Sequence, residues 1–130
     1  MKLQDFGLLA VRLLAGGMML THGLPKFDRF SGEGPVKFAD PFGFGPELSL
    51  GLVIFAEVVC SLLIMVGLKT RLATLPLLFT MGMAAFYIHG NDPFSEMELP
   101  LLFFTLFTSI LVSGSGSYSV DWWITGKKIR

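Results

Sequence analysis

The chain has 130 residues, room for one domain rather than two. Hydrophobic residues make up 52% of it and charged residues 15%, against about 25% charged in a soluble domain; mean hydropathy is +0.66. Ten basic and ten acidic side chains cancel, so nothing points to nucleic acid or to a polybasic lipid anchor. The expected architecture is a single all-α membrane domain over residues 1–130, with four transmembrane helices in an antiparallel bundle and the lipid bilayer as its first partner. The single cysteine, Cys60, cannot build a disulfide framework, a CxxC redox pair or a thiolate metal site within one chain.

The first predicted span covers residues 5–24. Lys2 and the apolar stretch behind it have the look of a secretory signal, but Arg12 interrupts the run and no A-x-A-like site follows, so the segment reads as a mature helix. Ala15, Gly16 and Gly17 leave a small patch where another backbone can approach. Pro25 predicts an end or a kink. Residues 25–47 form the longest polar segment, rich in Gly, Pro and Phe, with Phe27, Phe30, Phe38, Phe42 and Phe44 suited to a membrane interface. A short amphipathic helix is expected near Val36–Asp40, with a re-entrant loop as the alternative.

The second span is predicted over 48–67, with Glu57 near its middle, and the third over 72–88, after the basic turn at 68–71. The fourth covers 97–113, with Glu96 and Glu98 at its start and Pro100 in its first turn. The Gly-Ser-Gly-Ser run at 114–117 ends it. Trp122 and Trp123 then read as an interfacial belt ahead of Lys127, Lys128 and Arg130. With four crossings, Lys2, Lys69, Arg71, Lys127, Lys128 and Arg130 share one side, and Lys26, Arg29 and Lys37 the other. The positive-inside rule then places both termini in the cytoplasm.

Ionisable residues inside spans cost roughly 2.5–3.5 kcal/mol on insertion scales and mark partners or wet cavities. Arg12 lies roughly 10 Å, and Glu57 roughly 15 Å, from the cytoplasmic end at 1.5 Å per residue. Opposite charge and similar depth predict an intramembrane polar pair, Arg12 with Glu57, fixing helix 1 against helix 2 or else lining a polar pocket. A second cluster collects at the outer helix ends: His22, Lys26, Tyr87, His89 and Glu98 are candidates for an outer-mouth pocket, with Glu57 towards its floor. His22 and Lys26 are one turn apart and share a face if the helix continues through Pro25. The spacing matches no metal-ligand motif, so no metal is expected, and Met18, Met19, Met81 and Met83 read as core packing.

Three stretches carry a family resemblance: LLAVRLLAGGMMLTHGLPKF around Arg12, IFAEVVCSLLIMVGLKTRLA around Glu57, and EMELPLLF at the start of helix 4. The chain resembles the DoxX family of small four-helix membrane proteins along essentially its whole length, most specifically at His22-Gly23-x-x-Lys26 and in the block from Glu57 to Arg71. The resemblance implies a multi-pass protein of the inner membrane. Some relatives are subunits of a thiosulfate:quinone oxidoreductase and others associate with oxidative-stress enzymes, so it implies a membrane subunit or partner in a quinone-linked or redox-stress complex, with a quinone or lipid as possible ligand. No catalytic residues come with it. The fold is also similar to quinone-reducing bundles of the vitamin K epoxide reductase type, whose cysteine pairs one cysteine cannot supply.

Two other readings stand beside this one: a small-solute or ion transporter or channel lined by Arg12 and Glu57, which needs homo-oligomers because four short helices leave little lumen, and a structural scaffold. No nucleophile–base arrangement, phosphate loop or dinucleotide fingerprint points to catalysis by the chain alone.

Overall fold

The computed structural model describes residues 2–126. Four helices are long and apolar enough to cross a membrane: α1 (Leu3–Ser31), α2 (Pro46–Val66), α3 (Thr70–Ile88) and α4 (Phe94–Ser113). A short helix, α5 (Val120–Thr125), follows. No strand occurs among the described residues.

Helix α1 does not stop at Pro25. It tightens into a 3-10 turn over Leu24–Phe27 and resumes as one α-turn over Asp28–Ser31. Pro25 sits at the start of the tightened turn, where the α-helical ladder loses the N–H that proline lacks. The polar segment is therefore helical at first and irregular only over residues 32–45. The short helix expected near Val36–Asp40 is absent, since these residues carry no helical structure. Pro35 and Pro41 bracket them, and a residue preceding proline is pushed away from the α region. Asp40 organises the segment instead, accepting hydrogen bonds from Gly45 N (2.9 Å) and Ser49 Oγ (2.9 Å). Phe42 stacks on Phe44 at 5.8 Å and on Phe79 of α3 at 5.9 Å.

Two of the spans contain a π-helical turn, Phe55–Cys60 in α2 and Ala84–Ile88 in α3. Helix α2 ends in a left-handed Gly67 (φ 75°), whose N–H reaches Ile64 O while Leu68 N reaches Leu63 O. This pattern satisfies the last carbonyls of a helix.

The core is one cluster that runs through the four spans: Ala15 and Met19 from α1, Ala56, Cys60 and Ile64 from α2, Ala73, Leu77 and Met81 from α3, and Phe103, Phe107 and Ile110 from α4. The opposite faces present Leu52, Leu62, Leu72, Leu75, Phe86, Leu102 and Val112 outward, as expected where lipid replaces water. Residue numbers rise along α1 as they fall along α2. Arg12 meets Ile64 and Met65, and Gly23 lies against Glu57 and Val58. The same holds for α3 and α4, where Arg71 donates to Val112 O (3.1 Å) and Gly82 faces Phe104.

The C-terminal segment is more than an interfacial belt. Asp121, buried, accepts from Lys69 N (2.7 Å), Thr70 N (3.1 Å) and Thr70 Oγ1 (3.0 Å), so it caps the start of α3 from 51 residues away. Its own N–H donates to Gly67 O (2.8 Å). Trp122 is half-buried and Trp123 exposed; Lys127, Lys128 and Arg130 lie outside the described residues.

Candidate binding cleft

Arg12 and Glu57 do not form the expected pair. The Arg12 guanidinium is buried and donates to four backbone carbonyls: Nε to Ile64 O (2.9 Å), one terminal nitrogen to Ser115 O (2.6 Å) and Tyr118 O (2.8 Å), the other to Met65 O (3.0 Å). The reason is geometric. Arg12 faces the end of α2, where carbonyls lack intrahelical partners, and the loop after α4 brings two more. A guanidinium at a helix C-terminus also complements the negative end of the helix dipole. Backbone oxygens thus take the donors that depth and charge alone had assigned to a carboxylate.

Glu57 finds a different cation. Its carboxylate, 3% exposed, forms an ion pair with Lys26, 21% exposed, from the helical extension beyond Pro25. Two local features make the meeting possible. Glu57 lies within the π-turn of α2, where an extra residue pushes the backbone outward, and π-turns of this kind recur at functional sites. Gly23 lies opposite. A Cβ there would stand 2.8 Å from Glu57 Cβ and 2.9 Å from Val58 Cγ2, so the two helices approach this closely only because position 23 has no side chain.

The ion pair sits in a cleft of about 210 Å³, lined by Met19, His22 and Lys26 of α1, Glu57 of α2, Met81 and Ala84 of α3 with His89 just beyond, and Leu99, Pro100 and Phe103 of α4. The second π-turn begins at Ala84, on the same wall. The His22 ring meets Phe103 edge-to-face at 5.6 Å, and Phe103 stacks on Phe107. His89 Nδ1 and Asp92 Oδ2 are 2.8 Å apart. Of the five outer-mouth candidates, the structure thus brings His22, Lys26 and His89 together over Glu57. Tyr87 and Glu98 are exposed and do not line the cleft. The Phe-rich loop contributes no lining residue either, because its aromatic anchor lies on the outer face of α3. The apolar wall escaped notice because Leu99, Pro100 and Phe103 look like ordinary span residues; α4 begins at Phe94, so Pro100 lies inside the helix rather than in its first turn as expected. No group of three metal-ligating side chains occurs among the described residues.

Arg12, Glu57, Lys26 and the two cleft histidines fall inside residues 7–90, which match the family model described as DoxX. The chain belongs to the DoxX family. It is an integral membrane protein with several spans, and its similarity to curated relatives extends over nearly the full length. An uncharacterized protein of Haemophilus influenzae is 31% identical over 127 residues, covering 92% of each chain. The inner membrane protein YqjF of Escherichia coli is 32% identical over 129 residues, covering 92% of this chain and 93% of the relative. No solved structure gives a significant match. The DoxX match ends before α4, so it takes in the polar residues of the cleft but neither the Leu99–Phe103 wall nor the Asp121 cap.

Proposed function

We propose that this DoxX-family protein is an inner-membrane subunit of a quinone-linked or oxidative-stress redox complex, and that it holds a quinone headgroup in the cleft. The observation that carries the reading is the Lys26–Glu57 pair, its carboxylate buried and its lysine half-buried, in a cleft lined also by two histidines. A quinone ring presents carbonyl oxygens, which accept hydrogen bonds from the Lys26 ammonium and from an imidazole N–H of His22. Phe103, Met19 and Met81 offer the apolar wall such a ring needs, and few polar groups on a mostly apolar wall is the usual make-up of a small-molecule site. In this reading the chain binds and orients the ring, and a partner subunit exchanges electrons with it. The Lys and Arg asymmetry supports an orientation with both termini in the cytoplasm and the cleft on the opposite side. A C-terminal reporter that matures only outside the cytoplasm should then stay dark.

The transport reading has less support. Arg12 is occupied by four carbonyls, and the packed layer of Ala15, Cys60, Ile64, Leu77 and Phe107 separates it from the cleft. The deciding experiment extracts and identifies the small molecules that copurify from quinone-replete membranes. An isoprenoid quinone should be present, and His22→Ala and Lys26→Met should each lower its occupancy at least tenfold. Wild-type protein that carries no quinone, and takes none up on titration, refutes the reading.

A further inference from the structure

Helices α1 and α4 pack together at the His22–Phe103 ring contact and below it, where Phe103, Phe107 and Ile110 are buried. Residues 94–96, 98 and 99 of α4 are exposed, and so are His22 and Leu24 of α1. His22 and Leu99 both line the cleft, so two exposed residues from two spanning helices flank a gap in its rim. Leu99 lies five residues into α4, roughly 8 Å below the helix end at 1.5 Å per residue, within the depth of the bilayer. The rim continues downward in apolar side chains: Met18 precedes His22 by one turn and Leu102 follows Leu99 by nearly one, and both are exposed.

We propose that this gap is a lateral portal, through which a membrane molecule with a hydrogen-bonding head and a hydrocarbon tail places its head against Lys26, Glu57 and His22 and leaves its tail along Met18 and Leu102. The size of the cleft points the same way. At about 210 Å³ it falls below the roughly 300–1,000 Å³ that encloses a drug-sized ligand, so it takes a headgroup and excludes a long chain. A water-soluble solute has no use for an apolar rim, whereas a tail gains contact with Leu99 and Met18 without leaving lipid. The inference rests on the cleft as a headgroup site and adds the class of ligand and its route.

The test uses full-length protein in lipid nanodiscs and two probes, a decyl-tailed benzoquinone and the same ring without its tail. Leu99→Trp narrows the gap and leaves Lys26, Glu57 and His22 in place. It should weaken the tailed probe at least tenfold and the tailless ring less than twofold. Met18→Trp repeats the measurement from the opposite rim, should either variant fail to fold. Equal effects on both probes, or none on either, overturn the portal. Should wild-type protein bind neither ring, the quinone reading fails, and the portal is then decided with a decyl-chain lysophospholipid scored by native mass spectrometry. Lower retention by Leu99→Trp than by wild type upholds the portal for a lipid headgroup; equal retention overturns it.

Discussion

Replacing Arg12 with methionine keeps most of the side chain's length and removes its five donors. Of the four carbonyls it serves, Ile64 O retains the Gly67 amide at 3.1 Å. Met65, Ser115 and Tyr118 lose the guanidinium. A buried polar group left without its partner costs about 1–3 kcal/mol; that applies in full to Ser115 O, and less to the part-buried Met65 and Tyr118 carbonyls. Against this stands the desolvation penalty that an ionised guanidinium no longer incurs, several kcal/mol for a buried ion. A net loss of about 3–5 kcal/mol is the expected result, the range typical of breaking a buried charged network. Arg12→Lys keeps the charge but not the planar fork that reaches two helix-end carbonyls and two loop carbonyls together, and should lose roughly half as much. Denaturant titration in detergent, followed by the fluorescence of Trp122 and Trp123, reads the change near the segment Arg12 holds. The coupling partner is the sharper test. Arg12→Met should be non-additive with Asp121→Asn, because both side chains tie the C-terminal segment to the end of α2 and the start of α3. With Glu57→Gln it should add within about 0.5 kcal/mol, as distant sites do. A loss below about 1 kcal/mol for Arg12→Met, or strong coupling to Glu57, refutes the reasoning.

The Lys26–Glu57 pair should respond asymmetrically. Lys26→Met strands a carboxylate that is 3% exposed and should cost about 3–5 kcal/mol, whereas Glu57→Gln leaves a partly exposed lysine free to extend towards the headgroups and should cost less than half of that in the same titration. Gly23→Ala places a Cβ 2.8 Å from Glu57 Cβ and should destabilise the bundle by about 1–3 kcal/mol, as overpacking does, while lowering quinone occupancy; unchanged occupancy would free the cleft from dependence on this close approach. Asp121→Ala removes the cap from Lys69 and Thr70 and should cost about 1–2 kcal/mol, with faster amide exchange at the start of α3 as its local signature.

The spans were legible in the sequence because hydrophobic runs and Pro or Gly punctuation both mark them. Predicted starts at 48 and 72 stand two residues inside the observed Pro46 and Thr70, and the predicted end at 113 coincides with Ser113. The meeting of His22, Lys26 and His89 over Glu57 was legible from depth alone. The partner of Arg12 was not, since depth and charge see carboxylates and overlook carbonyls, which every residue carries. Nor did hydropathy reveal that α1 runs on to Ser31, because the continuation past Pro25 is polar and passes through a tightened turn. The Asp121 cap escaped for a third reason: its two halves lie 51 residues apart, and no local spacing rule spans that distance.

The bonds of Arg12 also set an order of events for the nascent chain. Its first two acceptors, Ile64 and Met65, are translated 52 and 53 residues after it, and the last two, Ser115 and Tyr118, 103 and 106 residues after it. Helix α1 therefore emerges from the ribosome carrying a cation that nothing yet satisfies, and it gains half its partners with α2. The other half arrive only after α4 has been made. A polypeptide released early, short of residue 115, holds its first span with two of those four bonds unmade.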